Sequence, residues 1–203
     1  VQTCALPIYN PLYDSRDGCN AIIVTASDSL IAACKGTVIP SSVKSLGNFS
    51  FLNIIGLKEL NIPKSVTDMG EYYLTNEFGD SLRSENCAIV GCPDLERITV
   101  EEGNPLFDAR DNCNAVILTK SDKLIASCKN TTIPQTVKIL APQVFSYTDL
   151  EEVVIPASVE SFACAFEESS TLKKTVMMEG CKEISEKAFS RCYSLKKVVI
   201  PST

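Results

Sequence analysis

Leu150-Glu-Glu-Val-Val-Ile155-Pro156 returns as Leu195-Lys-Lys-Val-Val-Ile200-Pro201, with a looser copy between them, Leu172-Lys-Lys-Thr-Val-Met177. The steps from Leu150 to Leu172 to Leu195 are 22 and 23 residues. A period that short belongs to one unit of a stacked array, because a single unit of this size cannot bury its own apolar face. The phrase also stands upstream, as Leu57-Lys-Glu-Leu-Asn-Ile62-Pro63 and Leu95-Glu-Arg-Ile-Thr-Val100. In it, Leu57, Leu60 and Ile62 belong to the inner side of a short strand, and alternation sends Asn61 outward. Proline then ends the strand, since it has no N–H for a ladder. A short apolar pair follows: Val43 and Leu46, Val66 and Met69, Val159 and Phe162. A turn with an aromatic plug closes each unit, at Phe49, Tyr72, Phe145, Phe166 and Phe189.

A longer period contains the shorter one. Residues 10–46, NPLYDSRDGCNAIIVTASDSLIAACKGTVIPSSVKSL, recur about two thirds identical as residues 104–140, NPLFDARDNCNAVILTKSDKLIASCKNTTIPQTVKIL. The offset is 94 residues throughout. Within each copy two apolar runs flank turn-prone residues, as in Ala21-Ile-Ile-Val-Thr25 and Leu30-Ile-Ala-Ala-Cys34 around Ala-Ser-Asp-Ser. That pattern predicts a β-hairpin in each long copy.

Composition bounds the chemistry. The chain has 203 residues, a formal charge of -6 and 45% hydrophobic residues, which suits one folded domain. No apolar run approaches 18 residues, so no membrane-inserted helix is expected. The acidic balance argues against nucleic acid as a partner. There is no histidine, which removes the commonest general base and the Ser-His and Cys-His dyads. No Gly-rich phosphate loop and no C-x-x-C pair occur, so catalytic, cofactor and metal sites are all expected to be absent. Asp14-Ser-Arg-Asp17-Gly-Cys-Asn20 is rich in oxygen ligands but carries Arg16 among the acids. It is read as a turn whose side chains bond their own backbone.

The repeated phrases resemble the BspA-like bacterial surface leucine-rich repeat family of Bacteroides-type organisms. Residues 155–168 and 187–201 carry its string of Ile-Pro, Ser-Val, Ala-Phe, Cys and Leu, the latter as KAFSRCYSLKKVVIP. The resemblance covers nearly the whole chain after Ile8. Residues 76–88 and 173–181 depart from it, the second by Met177-Met178 in place of Ile-Pro, and local distortion is expected at both. The resemblance implies an α/β-type repeat solenoid with a parallel sheet on one face and two inserted hairpins. Residues 9–203 are read as a single domain of such repeats, truncated at both ends. Val1-Gln-Thr-Cys-Ala-Leu-Pro-Ile8 matches no repeat phrase. It coincides with a translation of a common sequencing-adapter oligonucleotide and is read as a leader foreign to the fold.

In such a solenoid outward side chains align from unit to unit. The expected strip runs Asn61, Thr99, Val154, Val176 and Val199, flanked by Glu59, Arg97, Glu152, Lys174 and Lys197. Two readings stand: ordinary exposed β-formers, or a partner-binding face. The cysteines leave a second choice. Cys19 with Cys34, and Cys113 with Cys128, are each 15 apart across a hairpin. Each pair is either a cross-strand disulfide or two buried free thiols. Cys92 and Cys192 occupy the repeat's Cys slot and are read as structural.

Function follows from the resemblance. It implies a monomeric, non-enzymatic, cell-surface or secreted module that adheres to a protein or glycoprotein. A spacer within a larger surface protein, or a targeting segment of an exported enzyme, are the alternatives.

Overall fold

A computed structural model describes residues 10–75, 81–84, 86–181, 183–184 and 187–202. The leader 1–8 lies outside these residues. Each unit repeats one path. After the face strand, or the segment that stands in its place, the proline carbonyl accepts a hydrogen bond from the valine N–H three residues on: Pro40 from Val43, Pro63 from Val66, Pro134 from Val137 and Pro156 from Val159, all at 3.0–3.1 Å. The Ile-Pro-x-x-Val phrase is thus a β-turn signal. Proline ends the ladder, and the valine after the turn is fully buried in all four units.

Short parallel pairings follow, such as Ile139–Leu140 beside Ser161–Phe162 beside Glu183–Ile184. Leu46, Met69, Leu140 and Phe162 point from this layer into the core. The third side is a chain of turns. Two left-handed residues four apart bracket each one: Phe49 and Asn53, Gln143 and Tyr147, Cys164 and Glu168, Lys187 and Arg191. A positive φ every four residues cannot belong to an α-helix. The α component expected of the fold is accordingly missing: among the described residues there are strands and two three-residue 3-10 turns, Arg16–Gly18 and Arg110–Asn112, and no α-helix.

The residue midway between the bracketing pair is the plug. This corrects two expectations. Phe49 is 54% exposed, and Phe51, two residues on, is fully buried in the place that Phe145 fills 94 residues later. Tyr72 is not a plug either. Residues Tyr72–Thr75 leave the frame and pair antiparallel with Ser81–Ser84. The frame resumes at Ile89–Val90, parallel to Phe51–Leu52. Ile89 therefore fills the slot in that unit. In the C-terminal half the plugs stack, Phe145 on Phe166 at 4.7 Å and Phe166 on Phe189 at 5.3 Å between ring centroids. Such pairs add about 0.5–1.5 kcal/mol beyond their burial.

Each Cys slot ties one unit to the previous plug. Cys92 Sγ donates to the Phe51 carbonyl and Cys192 Sγ to the Phe166 carbonyl, both at 3.0 Å. Ser169 Oγ does the same to Phe145 at 2.9 Å. At these three positions the slot holds a small side chain with a donor, and serine substitutes for cysteine.

In the long copies, Ile22–Val24 and Ser29–Ala32 pair antiparallel, as do Ala115–Leu118 and Lys123–Ser127. Neither pair stands alone. Tyr13–Asp14 and Phe107–Asp108 add an outer antiparallel strand, and Ser45–Leu46 and Ile139–Leu140 continue each sheet in parallel. One ion cluster pins each copy. Arg16 bonds Asp14 at 2.6 Å and Asp28 at 2.7 Å, and Lys44 reaches Asp28 at 3.0 Å. Arg110 repeats this with Asp108, Asp122 and Lys138. The oxygen-rich turn is therefore closed on its own arginine. At 173–181 the strand is regular: Met177 takes the isoleucine place and is buried. The distortion comes after it, at Gly180, where φ is +128° and a Cβ would lie 2.3 Å from the Ala157 carbonyl oxygen.

Candidate surface for recognition

The face strands form two blocks. Glu59–Ile62 pairs parallel with Arg97–Val100, matching Glu59 with Arg97 and Asn61 with Thr99. Glu152–Ile155, Lys174–Met177 and Lys197–Val199 form a three-stranded parallel sheet. Its register lines up Glu152, Lys174 and Lys197, and beside them Val154, Val176 and Val199. All ten residues of the expected strip lie on these strands. The single continuous sheet does not exist: the ladder breaks between Thr99 and Val154.

The break has a local cause. Residues 129–133 occupy the place of the next face strand, and only Lys129 bonds back to the frame, its N–H donating to the Leu95 carbonyl at 3.1 Å. The rest is held by the hairpin beneath. Thr132 N–H donates to the Cys113 carbonyl at 3.0 Å, and Thr131 Oγ1 to the Asn114 carbonyl at 2.6 Å. The first long copy does likewise through Val38 N–H to Cys19 and Thr37 Oγ1 to Asn20. A groove opens at each break. The first has a volume of about 330 Å³ and is lined by Thr37, Val38, Ile39, Glu59, Asn61 and Thr99, among others. The second has about 270 Å³ and is lined by Thr131, Thr132, Ile133, Val154, Lys174 and Val176, among others.

The groove walls at 37–39 and 131–133 were not among the residues singled out from sequence. A signal for them exists. Ile39-Pro40 and Ile133-Pro134 keep the turn phrase but lack the preceding Leu-x-x-Leu, which marks units with a turn and no face strand.

The two blocks carry different chemistry. In the first, Thr99 Oγ1 donates to Asn61 Oδ1 at 2.8 Å. In the second, Val154 is 54% exposed, and Lys174 pairs with Glu152 at 3.0 Å. Between them runs an ion ladder: Lys58 to Glu96 at 3.1 Å and Lys129 to the same Glu96 oxygen at 2.8 Å. Lys129 first, then Lys58, holds the Glu96 carboxyl below its usual range.

Cys19, Cys34, Cys113 and Cys128 are free thiols. A one-residue bulge opposite Ile22/Ile23 in the first copy, and Val116/Ile117 in the second, is the reason. Without it Cys19 would face Cys34. With it, two residues oppose one and the register moves by a residue. Each thiol instead donates to a backbone carbonyl: Cys34 to Asn20 and Cys128 to Asn114 at 3.3 Å, Cys19 to Ala21 and Cys113 to Ala115 at 3.8 Å. Burial pushes the Cys113 thiol up to about 11 and raises Cys128 as well. Both are poor nucleophiles at neutral pH. Among the described residues no cluster of three His, Cys, Asp or Glu side chains could hold a metal ion, and no helix is long and apolar enough to cross a membrane.

Comparison with known proteins agrees with this geometry. No curated protein matches the chain. Among solved structures, the pneumococcal vaccine antigen PcpA is similar at 17% identity and a TM-score of 0.53, over 83% of this chain and 47% of that one. A leucine-rich repeat protein from Bacteroides ovatus is similar at 18% identity and a TM-score of 0.44, over 97% of this chain and 53% of that one. A third, from Eubacterium ventriosum, has 20% identity, a TM-score of 0.42 and coverage of 84% and 55%. The chain thus spans about half the length of the solved structures it matches. The family described as BspA type leucine rich repeat region matches residues 32–104 and 121–203 with six copies. These are the segments in which the Ile-Pro turn and the face strand alternate, and the chain belongs to the BspA-type leucine-rich repeat family.

Proposed function

We propose that the chain is a non-enzymatic protein-recognition module of an exported or cell-surface bacterial protein, adhering to glycoproteins of a host or a neighbouring cell. One observation carries this reading. Val154, Val176 and Val199 stand in register on adjacent strands of an outward face, flanked by Lys174 and Lys197. Among the described residues the three valines form an aligned outward row beside Lys197 and the Lys174–Glu152 pair. Repeat arrays recognise partners through such extended faces, by many modest contacts. Family membership supports the module, and the pneumococcal neighbour is named a vaccine antigen, which fits a place outside the cell. The lack of histidine in the sequence fits a binding role better than acid–base catalysis.

The test is saturable binding of the purified chain to a panel of matrix glycoproteins and epithelial cells, beside a Val154→Glu, Val176→Glu, Val199→Glu variant. Binding that disappears in a variant with an unchanged unfolding transition supports the face. Binding that survives the triple change removes it, and the role of spacer between other domains takes its place.

A further inference from the structure

We propose that the second groove takes up an extended segment of a partner protein as an added strand along the free edge of Glu152–Ile155. This rests on the recognition reading and names its partner class. In a parallel ladder, successive residues direct their N–H and C=O groups to opposite edges. Lys174 N–H donates to the Glu151 carbonyl at 3.2 Å and Met178 N–H to the Ile155 carbonyl at 2.9 Å. Residues 151, 153 and 155 therefore serve the neighbouring strand. The N–H and C=O of Glu152 and Val154 face the other way, into the groove. Among the described residues these four groups have no hydrogen-bond partner.

The frame explains the vacancy. The strand that would satisfy them is 129–133, which the hairpin beneath has drawn off to the carbonyls of Cys113 and Asn114. A sheet edge with unpaired amides is a template for another chain, and strand addition uses this geometry. Four residues at about 3.3 Å each give an edge of roughly 13 Å, so an occupant of about four extended residues matches it.

The walls define its chemistry. Ile133, Val154 and Val176 line the groove, which suits alternate β-branched side chains. At the strand start the groove edge presents Glu152, and Lys174 on the next strand is paired with it at 3.0 Å, so the charge beside an occupant is already balanced. The occupant is therefore an extended segment with β-branched, uncharged side chains at alternate positions. The first groove has the same edge, but its outward pair is the mutually bonded Asn61 and Thr99, so the apolar occupant selects the second.

Proline substitution tests the edge separately from the face. The Val154 amide is not used in the ladder, so Val154→Pro removes a groove donor and leaves the bonds to Lys174–Met177 in place. A phage-displayed random decapeptide library is selected on the wild-type chain, and enriched peptides are synthesised. The expected result is β-branched peptides that slow amide exchange at Glu152 and Val154 and lose at least tenfold in affinity for Val154→Pro. Val154→Thr, which keeps the amide, is expected to lose less than threefold. Glu152→Pro is the second variant should the first fail to fold. Peptides that bind wild type and both proline variants equally, or a library that yields none distinguishing them, overturn the proposal. A panel partner lost by the triple glutamate variant yet kept by Val154→Pro removes the added strand and leaves the recognition face standing. A partner kept by both removes the two together.

Discussion

In the first face block Asn61 and Thr99 stand side by side and bond each other at 2.8 Å. At the same two places in the second block stand Val154 and Val176, which have no polar group to offer one another. The backbones match: parallel strands, the same inward row, a groove at the same break. The second block has three strands against two, but at these paired positions the difference lies in the side chains. A polar pair that satisfies itself gives up little by staying in water. Val154 keeps its apolar area exposed, with Val176 and Val199 half-buried beside it, until something covers the row. The repeat frame supplies equivalent positions, and the outward residues decide which of them remains available.

Several changes would break or sharpen this contrast. The largest effect is expected from Phe166→Ala, because Phe166 is fully buried and stacks on both Phe145 and Phe189. It should cost about 3–5 kcal/mol. Since a repeat contacts chiefly its neighbours, the loss should fall on the valine block. Amide exchange across a denaturant series would show strands 152–199 opening before Glu59–Ile62, and simultaneous opening would contradict the independence of the blocks.

Arg110→Ala should come next, costing about 1–2 kcal/mol for a partly exposed charge-assisted cluster. Arg16→Ala should cost less. Burial raises Asp108, and hydrogen bonds from Arg110 and Thr119 overcome it, giving a net lowering, so the second copy depends more on its arginine. Equal midpoints for the two variants would show that burial does not matter there. The same clusters set the acid limit. The Arg16 hydrogen bonds hold Asp14 down at about 2, against an ordinary value of 3.8. A carboxyl lowered in the folded state adds stability above its unfolded value and loses it as pH falls through the folded one. Stability should be level from pH 7 to about 5 and fall between about pH 4 and 2, with a shallower fall in Arg16→Ala. A thermal melt series in pH checks this.

Thr175→Val should raise stability by about 1 kcal/mol. Thr175 is wholly buried, in the inward row with Leu60, Ile98 and Val153, and its hydroxyl has no partner. Smallest in stability, and most direct on the comparison, is Asn61→Val with Thr99→Val. It should shift stability by less than about 0.5 kcal/mol, as exposed changes do. It should also give the first block an affinity for whatever the second block binds, read as a rise in stoichiometry by calorimetry.

Much of this was legible in the residues. The Ile-Pro turns, the inward rows and the outward strip follow from local rules, because proline and alternation act within a few residues. The thiol choice was not. The sum of positions set Cys19 opposite Cys34, and only the one-residue bulge, which no local pattern announces, turned the pair apart. The plug at Phe49 failed for a related reason, since two aromatics lay near the slot and the left-handed residues that frame it chose Phe51, whereas Tyr72 failed because an inserted antiparallel pair takes it out of the frame.

The sequence by itself determined the repeat, its period, the family and the identities of the outward side chains, since each is carried by short strings acting on their own backbone. The tertiary structure decided that the sheet is broken in two and that each break is a groove. That depends on competition between two distant sets of backbone partners for residues 35–39 and 129–133. The hairpin carbonyls won it, and left the edges of Glu59–Ile62 and Glu152–Ile155 open.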